Sequence, residues 1–145
     1  MDRLRLYKDP STPYGGVDVF VNDRPLVDLL REYEAPFATE EEHPEIAGEY
    51  MGLNPAKVFL PSHRLLGVTD ELDYFRAKGK VTILDCNCGN PGCWPLGVRV
   101  ERLADRFIWS DFENWHREWW DYGRFGPFQF EAGQYLEALQ GSRSK

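Results

Sequence analysis

A chain of 145 residues with 42% apolar and 14% aromatic side chains holds enough material for one buried core, which excludes wholesale disorder. No run approaches the roughly 18 consecutive apolar residues of a membrane helix, and Met1-Asp2-Arg3-Leu4-Arg5-Leu6 lacks the apolar core of a signal peptide. A cytoplasmic protein without membrane contact is therefore expected. The 24 acidic and 17 basic side chains leave a net charge of −7, which argues against nucleic acid, because that binding relies on Lys and Arg to neutralise phosphates.

Residues 3–7 alternate basic and apolar side chains, the pattern of a half-buried strand. After a turn-rich stretch over 9–16, Val17, Val19 and Val21 share one face of a second strand. Asn22-Asp23-Arg24-Pro25 then reads as a turn that opens a helix. Leu26, Leu29, Leu30 and Tyr33 form its apolar stripe, and Pro36 falls just past its end. The glutamate-rich stretch 39–45 reads as a solvated loop. Residues 58–60 suggest a short strand, and 70–78 a short helix with Asp70 as its cap.

The second half carries the clearer pattern. Residues 81–88, 93–103 and 106–111 read as a three-stranded antiparallel meander, with tight turns at 89–92 and at Ala104-Asp105. A last helix places Ala132, Tyr135, Leu136 and Leu139 on one stripe. The fold class is α+β, mainly antiparallel sheet with two or three short helices. One domain is expected over 1–141, followed by a frayed tail at 142–145.

Cys86, Cys88 and Cys93 lie within eight residues. An odd, close set is a poor disulfide framework and reads as a metal or redox site. On a strand, Cys86 and Cys88 point to one face, and the Gly-Asn-Pro-Gly turn returns Cys93 towards them. Zinc takes four tetrahedral ligands, so one position remains. If the hairpin closes on Ala104-Asp105, Cys93 sits opposite His116, which selects His116 among the three histidines. A bulge would shift this pairing. Such a site is structural, a zinc staple across the sheet. Inert packed thiols and a redox pair are the competing accounts, although a Cys-x-Cys disulfide closes a strained small ring.

Ten aromatic residues crowd the stretch from Phe107 to Phe130. Phe107 and Trp109 are expected in the core with Val98 and Val100. Trp119 and Trp120 cannot both face one core, because neighbours on a strand or helix point apart. One of them is expected at the surface as an anchor for a protein partner, with Glu118 and Asp121 steering a basic partner towards it.

Asn22-Asp23-Arg24-Pro25-Leu26, Leu60-Pro61-Ser62, Trp109-Ser110-Asp111-Phe112, Gly126-Pro127-Phe128 and above all the CxCGxxGCWPL string from Cys86 to Leu96 resemble a group of small bacterial proteins of unknown function. The resemblance covers most of the chain and implies a bacterial origin and one shared domain. It brings no catalytic residue. The sequence thus points to a zinc-stapled, non-catalytic protein-binding domain of the adaptor or immunity type. The alternative is a small enzyme or redox protein using the cysteines.

Overall fold

The computed structural model of the chain describes residues 1–11, 16–88 and 93–141. The alternating valines and leucines at the N-terminus form β1 (Leu4–Lys8) and β2 (Val17–Val21), paired antiparallel with Leu4 opposite Val21. Leu4, Leu6, Val17, Val19 and Val21 all fall on the buried face. Asn22 and Asp23, at φ 54° and 66°, close a two-residue turn onto β3 (Arg24–Pro25), where Arg24 faces Val21. Two positive φ angles define the mirror-image hairpin turn whose twist suits its strands, and Asn and Asp tolerate it. Residues 22–25 thus complete a three-stranded sheet before the helix begins, where the sequence suggested only a turn into it.

Helix α1 (Leu26–Glu40) runs through Pro36 instead of stopping before it. A proline inside a helix removes one backbone bond and crowds the preceding turn, at a cost of about 3 kcal/mol. Packing in the last turn opposes that cost: Ala38 is fully buried, and Phe37 stacks on Trp120 with ring centroids 6.0 Å apart. Pro36 itself faces solvent. The buried stripe is Leu26, Leu30, Glu34 and Ala38, with Leu29 and Tyr33 packed at its edge.

A second, five-stranded antiparallel sheet follows chain order: β4 (Tyr50–Gly52), β5 (Val81–Cys86), β6 (Leu96–Arg102), β7 (Arg106–Asn114) and β8 (Phe128–Glu131). Residues 58–60 are not a strand, because the Val58 and Phe59 amides both bond the Pro55 carbonyl in a tight turn. The helix expected over 70–78 shrinks to one 3-10 turn at Arg76–Lys78. Asp70 does not cap it; Asp70 and Asp73 each bind the buried Arg64 guanidinium at 2.8 Å. The turn expected at 89–92 and the tail at 142–145 lie outside the described residues. No helix among the described residues is long and apolar enough to cross a membrane.

The β6–β7 hairpin closes on Ala104-Asp105, with the Leu103 amide donating to the Arg106 carbonyl at 2.8 Å. Its register starts with Arg102 opposite Phe107 and holds to Arg99 opposite Ser110. It then slips by one, so that Gly97 faces Glu113 and Leu96 faces Asn114. Asp111, at φ 56°, sits at the slip. Its carboxylate is held by Arg99 at 3.1 Å and Lys80 at 3.5 Å. Phe107, Trp109 and Val98 are fully buried, as expected, whereas Val100 is only partly so. Helix α2 (Ala132–Ala138), capped by Glu131, lays Tyr135 against this core. The Tyr135 hydroxyl accepts from the Trp109 indole at 2.8 Å and donates to the Leu65 carbonyl at 2.6 Å.

The two sheets meet where the Val17 amide donates to the Leu53 carbonyl at 2.9 Å. Gly52 permits this approach, since a Cβ there would stand 1.8 Å from the Val17 oxygen. Gly52→Ala is expected to part β2 from β4 and to lower stability by about 3 kcal/mol, read from thermal denaturation. Unchanged melting would remove this contact from the architecture.

Candidate metal centre and aromatic face

Strand β5 ends at Cys86, which pairs with Tyr50 of β4. Asn87 is tied back to β4 by its amide to the Glu49 carbonyl at 3.3 Å and its side chain to Glu49 Oε1 at 3.1 Å. The chain then turns so that the Cys88 amide donates to Cys86 Sγ at 3.4 Å. Cys93 stands just before β6, and the sulfurs of Cys86, Cys88 and Cys93 lie within 4.8 Å of one another. Cys86 is buried while Cys88 and Cys93 are exposed. Three convergent sulfurs form a set able to hold a metal ion. Burial, reinforced by the neighbouring cysteines, pushes the Cys86 thiol up to about 12, which makes it a poor nucleophile at neutral pH. A coordinated cation reverses that balance and deprotonates the thiol.

The expected pairing of Cys93 with His116 does not form. The slip at Asp111 moves the register by one, β7 ends at Asn114, and the Trp115 amide bonds the Pro95 carbonyl at 3.1 Å. A one-residue shift exchanges the two faces of a strand. His116 accordingly meets Trp94, with ring planes 14° apart and centroids at 6.3 Å. Among the described residues, the cysteine group contains no histidine or carboxylate.

Beyond β7, the chain wraps across helix α1. Trp120 is 4% exposed and Trp119 is 67% exposed, so the adjacent pair divides between core and surface. Both indoles donate to Glu41 Oε2, at 2.6 Å from Trp120 and 3.1 Å from Trp119. Arg117 Nε donates to Glu41 Oε1 at 3.0 Å. Glu41 therefore leaves the solvated run predicted over 39–45. Burial works against its charge, but the bonds from Trp120, Trp119 and Arg117 prevail and hold its carboxyl below the usual range. The Arg117 guanidinium lies 5.1 Å from the Trp94 ring and 5.4 Å from the Trp119 ring, both within cation–π reach.

A groove of about 550 Å³ opens beside Trp119, with Trp120, Tyr122 and Phe125 among its walls. Among the described residues, Asp111, Glu113, Glu118 and Asp121 supply carboxylates to its walls and Lys80 a cation, while Lys78 pairs with Glu113 and Glu118 and Arg99 with Asp111. Lys80 is paired with Glu113 at 2.7 Å. Glu118 and Asp121 are both exposed at the rim, and Glu118 meets Lys78 at 3.3 Å.

Beneath this face lies a polar cluster that sequence patterning did not reveal. Glu34, fully buried, accepts from the Gly48 amide at 2.9 Å, the Tyr50 hydroxyl at 2.5 Å and the Tyr122 hydroxyl at 2.6 Å. Asn114 Nδ2 donates to the Tyr50 hydroxyl at 2.9 Å. Burial raises the Glu34 pKa above the ordinary carboxylate value despite these donors. The only sequence signal was a carboxylate on the apolar stripe of α1, four residues after Leu30. Trp94 and Arg117 carried no separate signal, and Glu41 resembled the glutamates around it.

No family model matches the chain, and neither a curated protein nor a solved structure is similar to it.

Because the folded pKa of Glu34 is raised, the stability it contributes is complete below its unfolded pKa and declines as pH rises through the folded one. Glu34→Gln lacks this titration. The melting temperature of the wild type relative to Glu34→Gln is therefore expected to fall as pH rises from the ordinary carboxylate pKa towards neutrality. A difference constant across that range would show that Glu34 does not titrate in the fold.

Proposed function

We propose that this domain is a non-catalytic protein-binding module of the adaptor or immunity type. It is stapled by a structural zinc ion at Cys86, Cys88 and Cys93 and presents Trp119 to a basic partner. The carrying observation is the two-thirds-exposed Trp119 at the edge of a carboxylate-rimmed groove. A large ring held in water is unfavourable, and here Glu41 and Arg117 fix it in place instead of letting it fold inward. A fixed aromatic anchor loses little rotamer freedom on docking. Glu118 and Asp121 at the rim favour encounter with a positively charged surface.

Zinc suits the cysteine trio because three thiolates from two strand ends would close the β5–β6 connection and contribute directly to folding.

Protein purified without chelator is expected to contain about one zinc per chain by elemental analysis. The metal should be lost on combined Cys86→Ser and Cys93→Ser substitution, and metal-free wild type would refute the staple. Trp119→Ala should keep fold and metal, because Trp120 and Arg117 still hold Glu41. It should nonetheless weaken capture of a basic host protein by about 2 kcal/mol or more, roughly 30-fold. The double charge reversal Glu118→Lys with Asp121→Lys should slow association. Equal capture by wild type and Trp119→Ala would remove this face from binding.

A further inference from the structure

We infer that the groove beside Trp119 seats an arginine side chain of the partner, with Asp121 as its counter-charge and the aromatic walls as its platform. This rests on the reading of Trp119 as the anchor for a basic partner and names the group that the partner inserts.

Charge leaves room for one cation. On the groove's walls, Asp111, Glu113 and Glu118 are matched by Arg99, Lys78 and Lys80 in a chain of ion pairs. Behind the indoles, Glu41 is matched by Arg117. Asp121, also on the wall, joins none of these pairs, so among the described residues the groove keeps a negative charge in excess. That carboxylate is held in position. Its Oδ1 accepts from the Gly123 amide at 2.7 Å, and the carbonyl of the same residue accepts from the Tyr33 hydroxyl at 2.6 Å. A cation arriving there meets a preorganised acceptor and has no existing ion pair to break.

The walls select among cations. Trp119, Trp120, Tyr122 and Phe125 line the groove, and aromatic faces attract a cation within about 6 Å. The Trp119 and Trp120 N–H groups both donate to Glu41, which pushes electron density into the rings and strengthens that attraction. Arg117 shows what the same indoles accept: its guanidinium lies 5.4 Å from the Trp119 ring and 5.9 Å from the Trp120 ring. A guanidinium stacks flat on an aromatic ring while its fork bonds a carboxylate, whereas an ammonium is a compact, strongly hydrated point charge. Arginine is therefore the cation that uses both the rings and Asp121.

The test uses the full chain and three small probes: the amides of Nα-acetyl-arginine, Nα-acetyl-lysine and the uncharged Nα-acetyl-norleucine. Proton–nitrogen NMR spectra follow the Trp119 indole signal, assigned by its loss in Trp119→Ala, as each probe is titrated. The arginine amide is expected to shift that signal saturably, with a Kd of about 1 mM. The lysine amide should bind at least about three-fold more weakly, and the norleucine amide should cause no shift. Asp121→Asn keeps an acceptor for the Gly123 amide while removing the charge, and should weaken the arginine amide by about tenfold. Gly123→Ala keeps the charge but moves it, since a Cβ there would stand 2.9 Å from Asp121 Oδ1, and should weaken binding as well. Glu137→Gln on α2 removes the same charge outside the groove and should stay within about two-fold of wild type. A Trp119 signal that ignores the arginine amide up to about 20 mM would overturn the inference, as would an equal response to the lysine or norleucine amide. Equal behaviour of Asp121→Asn and Glu137→Gln would overturn it too. Each of these leaves the protein-binding reading standing as long as Trp119→Ala still weakens capture of a basic protein.

Discussion

The structure depends on a carboxylate that water does not reach. Glu34 stands on the inner face of α1 and gathers the Gly48 amide and the hydroxyls of Tyr50 and Tyr122. Gly48 and Tyr50 lie together at the start of β4 and Tyr122 lies about 70 residues on, and Asn114 adds the end of β7 through Tyr50. A buried carboxylate is tolerable only when its lone pairs are met. Removing one donor of such a set typically costs about 1–3 kcal/mol. The arrangement therefore admits few alternatives: helix, β4, β7 and the Tyr122 loop must sit together or the charge is stranded. Tyr50 is also the partner of Cys86 across the sheet, so the same carboxylate indirectly sets the floor of the cysteine cluster.

Helix α1 extends this control to the surface. Tyr33 donates to the Asp121 carbonyl at 2.6 Å, Phe37 stacks on Trp120, and Glu41, just past the helix, receives both indoles and Arg117. The spacing of Glu34, Phe37 and Glu41 is that of one helical face. Stopping the helix before Pro36 would leave Phe37 and Glu41 without a rigid mount. Continuation through Pro36 is thus tied to the placement of the aromatic segment, and the proline's cost is offset by what the last turn holds.

How much of this was legible in the sequence follows from how local each cause is. Val17, Val19 and Val21 alternate within five residues, so β2 could be read directly. The same holds for the Ala104-Asp105 turn and for Tyr135 on α2. Cys86, Cys88 and Cys93 are close enough along the chain that their meeting needed only a strand end and a return. The split of Trp119 from Trp120 followed from adjacency alone. Long-range causes were not legible. The three residues of β4 are held by pairing with β5 and by Gly52 against Val17, neither of which leaves a periodic trace. Glu34 could not be told from a boundary glutamate, because its partners lie 14 to 88 residues away. Glu41 differs from Glu40 and Glu42 only in facing residues some 76 to 79 positions on.

The His116 pairing shows how one residue decides chemistry. The turn and the first four pairs of the β6–β7 hairpin follow the register implied by Ala104-Asp105, with Arg102 facing Phe107 and Arg99 facing Ser110. Asp111 then adopts a positive φ, with its carboxylate between Arg99 and Lys80. A bulge of this kind adds one residue to one strand and reverses which side chains share a face. Phe112 is thereby turned inward against Phe125, with centroids 4.9 Å apart, and the chain beyond Asn114 is displaced by one position. Trp94 takes the place opposite His116 that unbroken counting reserves for Cys93. The same slip that fills the core with Phe112 thus sets the imidazole against Trp94, which Arg117 links to Trp119 at the surface. Packing of Phe112 in the aromatic core and the seat of His116 on Trp94 are in this way consequences of one slip in register.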